Sequence, residues 1–212
     1  MRTATAAAVA LAALSLAGCT TGRTRSVDLG YTPTDRPSAS GSTMGGRSVA
    51  LATFVDAREH ADRIGITRAR TGDTLYVARG SLADAVTDAV ARRLEADGFT
   101  VTRLGRPWDP RAGEVPKTEA DLVVGGLIER FFAESDGNAM WAPAEAEVTL
   151  RVAVAKPAED RIVGISVIRS DLEGTTTSGS LASNLKERFF TAVDQVSLAS
   201  GLAPTASGTG QR

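Results

Sequence analysis

The chain is poor in the residues that build most metal and catalytic sites. Its 212 residues include one cysteine, Cys19, and one histidine, His60. A lone cysteine has no partner for a disulfide within the chain, and a lone histidine leaves no histidine-based metal cluster and no Ser-His-Asp arrangement to assemble. The formal net charge of −1 offers nothing to attract nucleic acid. We therefore expect no cofactor, no metal and no nucleic-acid partner.

The first residues have the pattern of an export signal. Arg2 supplies a positive charge, Ala4 to Leu16 form an apolar run, and the small residues Ala17 and Gly18 follow. The run is too short to span a bilayer, which needs about 20 apolar residues. Residues 1–18 are therefore predicted to be a signal peptide.

The position of Cys19 directly after that signal suggests its role. Residues 16–19 read Leu-Ala-Gly-Cys and resemble the lipobox of bacterial lipoproteins, in which the cysteine sulfur receives a diacylglyceryl group. The resemblance implies that Cys19 is lipidated and becomes the new N-terminus. An ordinary export signal with a chance cysteine is the alternative. By the sorting rule of such lipoproteins, Thr20 favours the periplasmic face of the outer membrane, provided that the source has two membranes.

Composition divides the rest of the chain into three parts. Residues 19–46 are rich in Thr, Ser, Gly and Pro and predict a flexible tether behind the lipidated cysteine, with a mean reach of about 30 Å. An ordered alternative stays open there, because Val27, Leu29 and Tyr31 alternate with polar residues as an added edge strand would. Residues 47–203 are expected to form a single periplasmic domain, and residues 204–212 a polar tail.

Hydrophobic periodicity predicts the elements of that domain. Ser81 and Asp84 have the spacing of a capping box, and apolar residues recur in a stripe at every fourth position after Ser81. Together these signals predict a helix that ends at Gly98. A second stripe predicts a helix from about Ser180 to Gly201. Alternating residues predict strands from Ser48 to Val55, 100–104, 121–133, 146–155 and 162–173. The order favours an α+β two-layer sandwich, a mostly antiparallel sheet with both amphipathic helices on one face.

Three short segments resemble the YajG-type family of small bacterial lipoproteins. They are "VDAREHADRIG" at Val55–Gly65, "LEADGFTV" at Leu94–Val101 and "SDGNAMW" at Ser135–Trp141. The resemblance covers most of the chain but implies no reaction, because none of these segments is catalytic. It agrees with a lipid-anchored α+β domain in the cell envelope.

Two side-chain pairs resemble catalytic groups. Ser183 and Lys186 match the S-x-x-K of penicillin-recognising enzymes, but the partner motifs of that signature are missing, and both residues are ordinary choices near a helix start. Asp56 and Glu59 would serve as an acid and base pair only across a cleft, and the sequence indicates a solvated loop there. We therefore expect that the protein is not an enzyme.

Two further features have a structural and a functional interpretation. Gly125-Gly126 inside a strand either relieves crowding or admits a ligand or another backbone. The arginines between residues 58 and 79 could bind anionic lipid or wall polymer, but acidic residues lie between them and reduce the positive potential. We favour the structural interpretation of both.

The sequence therefore predicts a non-enzymatic envelope lipoprotein that binds or scaffolds a partner protein. Met140 and Trp141, in an expected loop between two strands, are the candidate partner-binding residues, because Trp is enriched among residues that dominate binding energy. Internal packing of Trp141 is the alternative for that residue. For the whole protein, the alternative is a carrier or sensor of a small amphiphile in an apolar pocket between helices and sheet.

Overall fold

A computed structural model describes residues 22–34, 46–68, 72–136, 142–176 and 180–199 of the chain. The predicted signal peptide 1–18, the lipidation site Cys19 and the tail 204–212 lie outside the described residues. So do the candidate partner-binding residues Met140 and Trp141.

Nine strands and two α-helices make up the described fold. In chain order they are β1 (Thr24–Val27), β2 (Ser48–Thr53), β3 (Val55–Asp56), β4 (Gly65–Thr67), β5 (Thr74–Val77), α1 (Leu82–Ala96), β6 (Thr100–Pro107), β7 (Leu122–Ser135), β8 (Ala142–Lys156), β9 (Arg161–Thr176) and α2 (Leu181–Ala199). Short 3₁₀ turns cover Pro110–Ala112 and Pro157–Glu159.

The long strand β7 organises the sheet. Along one edge it pairs antiparallel with β8, which pairs antiparallel with β9. Along its other edge it pairs in succession with β2, β3 and β4, all parallel to it. β6 pairs parallel with β2, and β5 joins β4 to β1. The 14 residues of β7 are therefore long enough to carry three short strands one after another.

The predicted sandwich with a mostly antiparallel sheet is wrong. The sheet of the described strands is mixed, with five parallel and three antiparallel pairings, and it curls into a half-barrel. The order of strands along the chain does not by itself fix how β2, β3 and β6 pair, and their pairings are all parallel. The chain crosses through α1 and through residues 108–121 before it returns to the sheet, and such crossovers place strands parallel.

Each helix forms where the sequence provides both an end signal and an apolar stripe. The Ser81 side chain accepts from the backbone N–H of Asp84, and the Asp84 carboxylate accepts from that of Ser81, which completes a capping box. Gly98 follows the helix in the left-handed region, with φ of 92°. Helix α2 packs its stripe beside that of α1, and both contribute to one core on the same face of the sheet. The stripes comprise Leu82, Val86, Val90, Leu94, Leu181, Leu185, Phe189, Val193 and Val196.

Part of the segment expected as a tether is ordered. Thr24–Val27 forms β1 at the edge of the sheet, and the side chains of Val27, Leu29 and Tyr31 are buried in the core under the helices. Their alternation with polar residues gives the segment one apolar face, and burial of that face offsets the entropy of ordering. Within the described residues, the chain is therefore fixed to the domain from Thr24 to Thr34.

Candidate protein-binding strand edge

The face of the sheet opposite the helices is covered only in part. A small apolar cluster there contains Ala52, Val123 and Ala153, and Trp108 packs over it from the segment after β6. The indole N–H of Trp108 donates to the carbonyl oxygen of Glu114 at 2.7 Å, which fixes the ring against the sheet. This outer cluster reaches β9 only at its first residues, where Ile162 packs against it.

Three large aliphatic side chains on β9 stay exposed beyond that cover. Val163, Ile165 and Val167 are 40%, 51% and 53% exposed, and we call them the apolar strip. The intervening Gly164 and Ser166 stand opposite Val154 and Val152, which belong to the core under the helices. Between Val163 and Val167, the strand thus directs its small residues toward α2 and its large apolar residues toward solvent, the reverse of the usual arrangement.

The strip lies on an edge that lacks the usual protection against pairing. Among the described strands, β9 pairs with β8 only, so half of the backbone N–H and C=O groups of β9 point away from the sheet. The edge strand β6 carries Arg103, Arg106 and Pro107, and the edge strand β1 has only four residues. Residues 162–168 contain neither proline nor a charged side chain. A register shift opposite Val163 bends one end of this stretch.

Ion pairs frame the strip at both ends. Arg161 binds Glu159 at 2.7 Å in the β8–β9 turn, and hydrogen bonds from Lys156 and Arg161 hold the pKa of the Glu159 carboxyl below its ordinary value. Beyond the other end, Arg169 approaches Glu147 at 3.4 Å and Asp171 at 3.7 Å. An apolar centre with a charged rim is the usual composition of a protein interface.

The centre of the space between helices and sheet is filled by side chains. Phe189 and Val193 of α2 and Val90 of α1 have no exposed surface. A cleft of about 400 Å³ lies at the outer side of α1, lined by Leu29 and Val77 among others. Phe189 packs on Phe131 of β7 with ring centroids 5.4 Å apart. A binding pocket would expose its lining residues in the empty protein, and these residues expose none.

A cleft of about 480 Å³ lies beside the β3–β4 connection, lined by Arg58, Glu59, His60, Glu129 and Phe132 among others. The Arg58 guanidinium crosses its wall and donates to both carboxylate oxygens of Asp56, each at 2.8 Å, and to the carbonyl oxygen of Arg63 at 2.8 Å. Asp56 is therefore committed to an ion pair with a nearly buried arginine, which leaves it poorly suited to act as an acid or base.

The fold is shared with a solved bacterial protein. Protein XCC0632 from Xanthomonas campestris, described as a DUF330 protein, superposes with a TM-score of 0.55 at 14% identity, covering 84% of this chain and 94% of that one. A neuraminyllactose-binding hemagglutinin homolog from Helicobacter pylori has a TM-score of 0.45 at 12% identity, covering 84% and 92%. The PelC dodecamer from Paraburkholderia phytofirmans has a TM-score of 0.37 at 15% identity, covering 77% and 95%.

At these identities the likeness extends to the fold alone. No family model matches the chain, and no curated protein matches it. The resemblance to YajG-type lipoproteins therefore stays a prediction.

The other groups singled out in the sequence have structural surroundings. Ser183 is exposed on α2, and the Lys186 ammonium lies 5.3 Å from the centroid of the Phe190 ring. In the described part of the chain, no three His, Cys, Asp or Glu side chains are grouped closely enough to hold a metal ion. Nor does a helix of the described residues combine the length and apolar character needed to cross a bilayer.

Sequence reasoning missed the apolar strip, although a signal was present. The segment 162–168 reads Ile-Val-Gly-Ile-Ser-Val-Ile, and its glycine and serine alternate with large aliphatic residues. Nothing in the sequence indicated that the small residues would face the core. The reason is tertiary, because α2 packs directly against the inner face of β9.

Proposed function

We propose that this chain is a lipid-anchored protein of the bacterial cell envelope that binds a partner protein along β9 and catalyses no reaction. In this proposal, Cys19 carries the lipid, and the domain stands on the periplasmic face of the outer membrane. The single observation that carries the binding role is the apolar strip, three exposed aliphatic side chains on a long strand that is paired on one side only among the described strands.

The lipid anchor is supported by the order of residues at the start of the chain. An export signal directly precedes the only cysteine, and small residues occupy the two positions before it. Each methylene buried in the membrane contributes about 0.8 kcal/mol, so two or more acyl chains hold a protein there nearly permanently. Acylation also explains an unpaired cysteine in an exported protein.

The chemistry of the edge indicates the kind of partner. A free strand edge offers backbone donors and acceptors to an added strand, while alternate side chains of that strand meet the strip. We therefore propose an extended segment of the partner that adds to the sheet beside β9. The face it presents to Val163, Ile165 and Val167 would be aliphatic, and acidic residues at its ends would meet Arg161 or Arg169, whose side chains are each 62% exposed.

Carriage of an amphiphile between helices and sheet has less support. That role needs an apolar pocket beneath the helices, whereas the central residues of both stripes, such as Val90 and Phe189, are fully buried against the sheet. An enzymatic role has equally little support, since Asp56 is paired with Arg58 and the Lys186 ammonium lies over the Phe190 ring.

The binding role is tested by crosslinking in native membranes that contain the full-length protein. Ile165→Lys places a charge in the centre of the strip, and we expect it to abolish crosslinks to the partner and to leave the melting temperature unchanged. Tyr76→Lys is the matched control, because Tyr76 is also a large exposed side chain on a strand, 38% exposed on β5, but that strand is paired on both sides. The control should keep every crosslink.

Hydrogen exchange distinguishes strand addition from a looser contact. In the crosslinked complex, amides of β9 should exchange more slowly than in the free protein, because an added strand protects them. Crosslinks that survive Ile165→Lys, or β9 amides that exchange equally fast in both states, would contradict the proposed surface. The anchor is tested separately: Cys19→Ser should prevent incorporation of a labelled fatty acid and release the protein from the membrane fraction.

A further inference from the structure

The start of β1 lies near one end of six of the nine described strands. The strand pairings connect one residue on each of six strands into a continuous row across the sheet, which we call the Thr24 row. It consists of Thr24, Thr74, Ile66, Glu134, Glu145 and Glu173. From Thr24 the chain runs along β1 into the body of the sheet, so the residues that precede Thr24 leave from this end.

The segment after β1 is fixed to both helices by polar contacts as well as by burial. The hydroxyls of Tyr31 and Thr34 donate to the two carboxylate oxygens of Asp194 on α2, the latter at 2.7 Å. From α1, Arg92 donates to the carbonyl oxygen of Tyr31 at 2.9 Å, and Arg93 donates to that of Thr34 at 3.1 Å. These contacts use both helices, so the segment is held as part of the domain.

This attachment shortens the path from the proposed anchor to the domain. Thr24 lies five positions after Cys19, and five extended Cα–Cα steps span at most about 18 Å. A tether that continued to residue 47 would instead reach about 30 Å on average and much farther when extended. The attached segment therefore changes a long flexible connection into a short one that leaves from a defined end of the sheet.

We propose that the domain stands on the membrane in one orientation, with the Thr24 row toward the lipid and the β8–β9 turn pointing away. The inference rests on acylation of Cys19 in the proposed function. The distance from the row to the turn is the length of β8 from Glu145 to Lys156. Eleven residues at about 3.3 Å each make it about 36 Å. The apolar strip lies in the half of the sheet remote from the membrane, since Ile165 pairs with Ala153.

The tether, rather than charge, fixes this orientation. The row contains Glu134, Glu145 and Glu173, and of these Glu134 is neutralised by Arg68 at 2.5 Å. These acids give no attraction to anionic headgroups. The row therefore faces the bilayer because the chain leaves from it, and it has no need to enter the lipid.

Energy transfer from single labelled positions to lipid tests the orientation. Acylation occupies Cys19, so one introduced cysteine is the only free thiol in the full-length chain. Arg68→Cys places a fluorophore at the row, and Ala158→Cys places it at the β8–β9 turn, where both positions are exposed. The acylated variants are reconstituted into vesicles of phosphatidylethanolamine and phosphatidylglycerol that contain an acceptor-labelled lipid. We expect a severalfold higher transfer efficiency from position 68 than from position 158.

Two length variants test the role of the attached segment. A Gly/Ser insertion of about 20 residues after Thr21 lengthens the connection without touching the fold, and it should make the two efficiencies nearly equal. Leu29→Ala combined with Tyr31→Ala, which frees the attached segment, should do the same. If the double variant fails to fold, the insertion variant alone still tests whether the short connection fixes the orientation.

Equal efficiencies in the chain of normal length, or a difference that survives the insertion, would overturn the inference. The acyl chain is verified by mass spectrometry before reconstitution. A chain without lipid at Cys19 would overturn the proposed function instead, so the two failures are distinguishable.

Discussion

Gly125 and Gly126 illustrate how single residues shape the two faces of the sheet. A Cβ atom on Gly125 would lie 2.9 Å from the Trp108 ring and 3.1 Å from the Cβ atom of Ala52. On Gly126 it would lie 1.9 Å from the carbonyl oxygen of Arg151. The two glycines divide the interpretations of the sequence analysis between them: Gly125 relieves crowding against Trp108, and Gly126 admits the backbone of the neighbouring strand β8. Gly125 thereby leaves room for the indole over the outer cluster.

Gly125→Ala should therefore destabilise the protein. The added methyl group displaces the Trp108 ring or the strand beneath it, and such overpacking costs about 1–3 kcal/mol. Thermal unfolding measures the loss. Gly174→Ala is the matched control, since it adds the same methyl group to a strand where nothing lies within 4 Å. Equal melting temperatures for the two variants would mean that the outer cluster shifts without cost.

Arg58 is a second such residue, because it is more buried and makes more hydrogen bonds than its sequence context predicts. Its neighbours include Glu59, His60 and Asp62, and that mixture predicts a solvated surface. The Arg58 side chain is only 6% exposed, and its guanidinium also donates to the carbonyl oxygen of Phe131 at 3.1 Å. It thereby ties the β3–β4 connection to β7. The sequence carries no signal for this, because carbonyl acceptors are present at every position.

At the scale of elements, α2 is the part of the core with the largest aromatic contribution. Phe189 has no exposed surface and packs with Phe131 and Phe190, at centroid distances of 5.4 Å and 5.9 Å. These contacts hold α2 across the strands β7, β8 and β9. The helix also supports the inner side of the apolar strip, which depends on α2 for its outward direction.

Phe189→Ala should lower the free energy of unfolding by about 3–5 kcal/mol, as expected for a fully buried ring that leaves a cavity. Chemical denaturation measures the change. Glu187→Ala is the control on the same helix, because the Glu187 side chain is 65% exposed and its loss should be nearly neutral. An unchanged midpoint for Phe189→Ala would contradict the packing of α2 on the sheet.

The elements that were predictable from sequence are those with local signals. The capping box and the apolar residues at every fourth position predicted a helix between Ser81 and Gly98, and α1 occupies Leu82–Ala96. Alternation predicted the strands that became β7, β8 and β9. The parallel pairings of β2, β3 and β4 with β7 carry no local signal, since they depend on where the crossovers return. The apolar strip was unpredictable for the same reason, as its direction is set by α2.

At the scale of the whole molecule, the attached N-terminal segment links stability to pH. Burial of Tyr31 and its hydrogen bond to the Asp194 carboxylate raise the pKa of the Tyr31 hydroxyl above its ordinary value. In the unfolded chain the hydroxyl loses its proton near pH 10, while the folded chain still retains it. The folded state then binds more protons, so stability must fall as the pH rises above about 10.

Tyr31→Phe should remove that dependence. Near neutral pH the variant should be less stable by about 1–3 kcal/mol, because Asp194 loses a buried donor. Above about pH 10 the difference in stability between the variant and the wild type should narrow. In the wild type, unfolding lets Tyr31 lose its proton, whereas the variant has no hydroxyl at this position. Denaturation at several pH values measures both effects, and Tyr76→Phe at the exposed tyrosine serves as the control. A gap that stays constant into the alkaline range would contradict the assignment.

The parallel pairing of β1 with β5 also has a mechanical consequence. A pull on the chain from its N-terminal side acts along the axis of β1, and the four paired positions from Thr24 to Val27 share that load at the same time. They resist in shear, whereas a hairpin pulled open at its end gives way one hydrogen bond after another. When a partner pulls on the domain while the N-terminus is held, the load therefore reaches β1 first and is met there in shear.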